Sequence, residues 1–145
     1  MVSEKIFDPD EERKREEEKK EALKEALRKE EERKREEEKK EALKEELRKE
    51  EEKRKLEDQI NEMKGKINEL RDKIRSANIS DDLKQEPLKK LDEAYYSLDK
   101  AEENIGSNNI ENAKGYIDYA QRSIDAASYW LSQNQNKEQS LGMGY

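Results

Sequence analysis

The residues with the clearest capacity for chemistry are aromatic. Tyr116, Tyr119, Ser123, Ala126 and Trp130 recur at three- and four-residue spacing, with Tyr129 beside the last of them. On a helix that spacing makes one stripe. Tyr and Trp each pair a large apolar area with one polar handle, the combination that favours non-covalent protein recognition. The same stripe would equally serve as core in a small bundle, where each helix touches two neighbours; a partner would then reach only Tyr129 and Trp130 at the edge. Ile6 and Phe7 form an apolar pair just before the charged run, a candidate anchor for a partner or a contact to the first helical turn. The end of the chain, Ser140 to Tyr145, reads as a docking peptide or an unstructured terminus. Covalent chemistry finds no support. There is no His and no Cys, so the commonest general base, the thiol nucleophile and the commonest metal ligands are missing. None of the five glycines builds a phosphate loop. Asp92, Glu93, Asp99, Glu102 and Glu103 cluster, but no Gly-turned loop of closely spaced oxygens surrounds them; a solvated helix face is expected. The chain is expected to be no enzyme, with no cofactor and no metal.

Charge narrows the partners further. Acidic residues number 39 and basic residues 32, giving a net charge of −7. Nucleic acid is disfavoured as a partner, because phosphate binding needs surplus Lys and Arg. No apolar run approaches the ~20 residues of a membrane-spanning helix. Met1 to Phe7 lacks the apolar region of a signal peptide, so a cytoplasmic location is expected, with protein partners.

The elements that must carry these residues fall into two halves. Between Asp8 and Lys55, 40 of 48 residues are charged. Residues 11–30 and 31–50 are near-identical copies that differ only at Ala26 against Glu46, the product of a tandem duplication or of an engineered insertion. Every residue type in the repeat is a strong helix former. Glu precedes Lys or Arg by four at 11/15, 16/20, 25/29, 30/34, 31/35, 36/40 and 45/49, the favoured orientation, contributing on the order of 1.5–3.5 kcal/mol together. Asp8 suits the N-cap, Pro9 the first helical position and Glu11 the third, with Asp10 and Glu12 at the positive dipole end. A coiled-coil seam is absent. Twenty residues rotate a helix face by about 200°, so Leu23 and Leu27 point nearly opposite to Leu43 and Leu47.

The stretches EERKREEEKK and EELRKEEEKRK resemble the single α-helix, or ER/K, segments of some myosins and caldesmon. The resemblance covers roughly residues 10–55, about a third of the chain, and it is one of composition and period. It implies a stiff, monomeric spacer or lever.

From Leu56 the pattern changes. Leu56, Ile60, Met63, Ile67, Leu70 and Ile74 follow a 4-3-4-3 spacing, with Ala77 next. No breaker separates this stripe from the charged run, so one helix from about Pro9 to Ala77 is expected, on the order of 100 Å long. A second helix over about 82–105 carries Leu88, Leu91, Ala94, Tyr95, Leu98, Ala101 and Ile105. Pro87 inside it removes one hydrogen bond, and a helix that starts near Asp82 and kinks is favoured over one that starts at Pro87. Gly106 suits the C′ position, and Asn108 or Asn109 the next N-cap. The third helix, about 109–132, repeats Ile110, Ala113, Ile117, Ala120, Ile124, Ala127 and Leu131.

The expected fold is all-α: a long charged single α-helix running into a small antiparallel three-helix bundle of coiled-coil-like character. The expected divisions are a flexible N-terminus (1–8), a rod (9–55), the bundle (56–133) and a flexible tail (134–145). The expected function is a non-enzymatic structural or interaction protein, monomer or homodimer, in which the charged helix spaces a helical binding unit. Three alternatives stand beside it: pairing of chains through Leu56–Ile74, an adaptor on a nucleoprotein particle such as a ribosome, and an engineered helical scaffold.

Overall fold

The computed structural model describes residues 8–143, with side-chain environments to residue 135. Ile6 and Phe7 lie outside the described residues, as do the side chains from Ser140 to Tyr145. The described chain is all-helical: α1 (Pro9–Ser76), α2 (Asp81–Gly106) and α3 (Ile110–Met143). None of these helices is long and apolar enough to cross a membrane. The chain divides into two units, Met1–Arg48 and Lys49–Tyr145.

In the first unit the helix is held by local terms. The Asp8 carboxylate accepts the Asp10 N–H at 3.0 Å, and the Asp8 carbonyl accepts the Glu12 N–H at 3.2 Å, so Asp8 is the N-cap. Every residue from Asp8 to Glu51 is exposed, Leu23, Leu27, Leu43 and Leu47 included. Of the seven expected four-residue pairs, Glu25–Lys29 closes, at 4.0 Å. Glu45 binds Arg48, three residues on, at 2.6 Å. The pairs at 11/15, 16/20, 30/34, 31/35 and 36/40 do not come within 4.0 Å among the described residues. Long exposed side chains lose rotamer entropy on pairing, and water screens the attraction, so these pairs act as an averaged field and not as fixed bridges.

In the second unit the apolar stripes meet. Ile60, Met63, Ile67 and Ile74 of α1 share one buried cluster with Leu91, Ala94, Leu98, Ala101 and Ile105 of α2 and Ala113, Ile117, Ala120, Ile124, Ala127 and Leu131 of α3. Ile60, Ile67 and Ile74 are fully buried within the chain, so pairing of this stripe with a second chain would require it to open. Residue size sets the spacing. α2 buries the small residues Ala94, Ser97 and Ala101, α3 buries Ala113, Ala120 and Ser123, and Cα atoms of the two helices come within 8 Å of each other. α1 presents Ile and Met, and none of its Cα atoms comes that close to α2 or α3. Interaxial distance follows the side chains at the contact.

Helix ends account for the remaining departures. α2 runs from Asp81 with Pro87 inside it, and the Pro87 ring is fully buried. Ser80 occupies the N-cap position without a side-chain cap bond. The C′ position belongs to Asn108 and not to Gly106. Asn108 has φ 62°, its N–H donates to the Ile105 carbonyl at 3.1 Å, and the Asn109 N–H donates to Asn104 at 2.8 Å, the bond pair of a Schellman motif. Asn tolerates the left-handed region, and a stop at Asn108 lets Asn109 cap α3 at once: its side-chain oxygen accepts the Asn112 N–H at 3.4 Å. α3 continues to Met143, past the expected end near residue 132. Gln, Lys and Glu in this stretch are sound helix formers, no Gly or Pro occurs before Gly142, and the Asn134 amide donates to the Trp130 carbonyl at 2.8 Å. The α1 terminus is capped from outside: buried Lys84 donates its Nζ to the Arg75 carbonyl at 2.8 Å, a cation at the negative end of a helix.

Candidate protein-binding surface

Two faces of α2 do different work. The face toward α1 carries a polar seam. Lys64 Nζ lies 2.9 Å from both Asp99 and Glu102, and Arg71 lies 2.7 Å from Asp92. Both cations also stand over the Tyr95 ring, at 4.8 and 5.3 Å from its centre. Burial of the Lys64 ammonium pulls its pKa down, but the hydrogen bonds and attraction from Asp99 and Glu102 outweigh it, and the net shift is upward. The acidic cluster is solvated as expected, with Asp92, Asp99, Glu102 and Glu103 all exposed, and Asp92, Asp99 and Glu102 also form the α2 half of this seam. Glu103 pairs with Lys100 at 3.3 Å and Glu93 with Lys90 at 3.9 Å.

The face that α2 and α3 share away from this seam carries an open groove of about 690 Å³. Its walls include Glu93, Tyr96 and Ser97 from α2 and Tyr116, Tyr119 and Arg122 from α3. Buried Ser97 donates its hydroxyl to the Tyr116 carbonyl at 2.7 Å and ties the two helices together. Gly115 is among the lining residues, and a Cβ placed there would meet nothing within 4 Å. The missing side chain leaves a notch one helical turn from Tyr119. Tyr96 is 64% exposed, Tyr116 39% and Tyr119 46%. Lys100 Nζ lies 5.5 Å above the Tyr96 ring; its pKa is raised, chiefly by its hydrogen bond to Glu103. Glu111 and Asn112 complete the α3 side.

The expected site residues separate on this geometry. Tyr116 and Tyr119 come together in the groove. Tyr129 is 67% exposed but does not line it, and Trp130 is half-buried against the core. Tyr96, Gly115, Glu111 and Arg122 were not anticipated. A signal for Tyr96 existed, since adjacent helical residues point about 100° apart; with Tyr95 turned inward, Tyr96 had to face outward. A smaller hollow of about 250 Å³ on the α1–α3 side is lined by Lys66, Lys73, Asp125 and neighbours. No family model, curated protein or solved structure matches the chain.

Proposed function

We propose that the protein is a non-enzymatic structural and interaction protein: a self-supporting charged helix of the single α-helix type serves as spacer for a compact antiparallel three-helix unit, and the α2–α3 groove of that unit is its contact surface. The observation that carries the spacer reading is the unbroken exposure of α1 from Pro9 to Glu51. A helix with no buried face takes its stability from propensity, capping and averaged charge attraction. Length offsets the single nucleation penalty. The antiparallel arrangement is supported by the polar contacts of the second unit. As the α1 number rises from Lys64 through Arg71 to Arg75, its α2 partner falls from Asp99 and Glu102 through Asp92 to Lys84. At the other end Lys53 bonds Asn108 in the turn before α3, and Glu52 meets Lys114 at 2.9 Å. The groove qualifies as the contact surface because three partly exposed tyrosines converge there with mixed charge at its margins, the composition expected of an adaptable protein-binding patch.

Circular dichroism of a peptide spanning residues 9–48 in dilute buffer tests the spacer. A helical spectrum that does not change with peptide concentration is expected. A coil spectrum, or helicity that grows with concentration, overturns it.

A further inference from the structure

The groove's charges have a symmetry that names its occupant. Along α3, Glu111 and Arg122 stand on the groove side at nearly equal distances before and after Tyr116, five and six residues away, or about 8–9 Å each at the helical rise. One is anionic and the other cationic. Neither is consumed within the chain: Glu111 has only a loose 3.7 Å contact to Lys114, whose nearer partner is Glu52 at 2.9 Å, and Arg122 has no ion pair among the described residues. Between them lie Gly115, the notch, and Tyr119, a half-exposed knob. A surface with opposite charges at equal distance from a centre, and with a knob beside a hole, is complementary to itself turned through 180°. That is the requirement of an isologous two-fold interface.

We propose that the α2–α3 face pairs with the same face of a second copy of this chain, α3 lying antiparallel on α3 with the two-fold axis near Tyr116. In this pairing Glu111 faces Arg122 of the second copy and Arg122 faces its Glu111. Tyr119 seats over Gly115 of the second copy, where the absent Cβ lets the ring approach the backbone. Tyr96 and Tyr116 flank the contact and lose solvent. The apolar area is small, for three tyrosines already partly covered, so the association belongs to the weak, transient class. It differs from pairing through the Leu56–Ile74 stripe, whose Ile60, Met63, Ile67 and Ile74 are buried inside each chain.

Sedimentation equilibrium of the full chain over a wide concentration range, at low and high salt, tests this. A reversible monomer–dimer equilibrium is expected, weakening as salt rises. Arg122→Glu and Glu111→Arg, each of which sets like charges opposite one another twice, should each weaken the dimer about tenfold or more. The double exchange Glu111→Arg/Arg122→Glu should restore it. Gly115→Leu fills the notch and should abolish the dimer while the monomer keeps its fold and melts no lower, since nothing in the monomer meets an added Cβ and Leu is the better helix former. A chain that stays monomeric throughout, a dimer indifferent to Gly115→Leu, or a charge exchange that fails to rescue overturns the pairing. The proposal rests on the groove being the contact surface; its failure leaves the spacer reading untouched, because the dichroism of residues 9–48 decides that separately.

Discussion

Lys64 is the side chain on which most interactions converge. It reaches two carboxylates, covers the face of Tyr95, and is only 18% exposed along its side chain. Its pKa is raised above the ordinary value near 10.5. The folded state therefore holds the Lys64 proton more tightly than the unfolded chain does. The sign follows from linkage: the stability this provides is fully present below the unfolded value, about 10.4, and is lost as pH rises through the higher folded value. Lys64→Met keeps the buried stem and removes the charge. At pH 8 it should lower stability by on the order of 1 kcal/mol, since the pairs are partly exposed. Tyr95 and Arg71 share the seam and remain in both proteins, so the difference between the two isolates Lys64. Urea midpoints measured from about pH 8 to 11.5 should converge as pH rises, the wild type falling more steeply. Parallel curves would show that the seam adds no proton-linked stability.

At the scale of helices, the 4-3-4-3 stripe of α1 and the 3-4 stripe of α3 were legible in the sequence, because a buried helix face has no other way to be written. Every large residue assigned inward on those stripes is buried or packs on the core. The stop signals were less legible. Gly106 is a good C′ residue by type, yet Asn108 takes the position, because the turn that follows must also deliver Asn109 as a cap. The far end of α3 looked like a tail because its composition is polar, while its propensities are helical. Half the candidate site was readable and half was not. Tyr116 and Tyr119 share a spacing, but their meeting with Tyr96, the Gly115 notch and the charges beside it depends on how α2 and α3 face each other, which no single-helix pattern encodes. The contrast between stripes is measurable. Ile67→Ala, at a fully buried position, should destabilise by roughly 2–5 kcal/mol. Leu23→Ala, at a leucine exposed on all sides of α1, should change stability by no more than about 0.5 kcal/mol. Chemical denaturation of the two variants checks both, and equal losses would mean that the charged helix buries its leucines somewhere.

For the molecule as a whole, the two units differ in what holds them, and this predicts how each melts. Up to Arg48 the helix has no apolar core. Residue by residue it balances propensity and charge attraction against chain entropy, and a helix of that kind frays gradually with temperature. From Lys49 onward a shared cluster drawn from three helices must form or dissolve together, which gives a cooperative transition. Trp130, the single tryptophan, packs against that cluster and so reports on the second unit alone. Far-ultraviolet dichroism should accordingly fall along a broad slope with a sigmoidal step superimposed, whereas Trp130 fluorescence should follow the step alone. Salt separates the two further. At about 1 M the screening length drops to about 3 Å, so the slope should steepen as the averaged charge attraction weakens, while the step moves little. The shift in the slope should be modest, because few of the possible charge pairs in the first unit close. Coincident sigmoids from both probes would contradict this picture: the charged helix would then depend on the core for its folding, and a segment that needs the core to stay helical has no independent stiffness with which to act as a spacer.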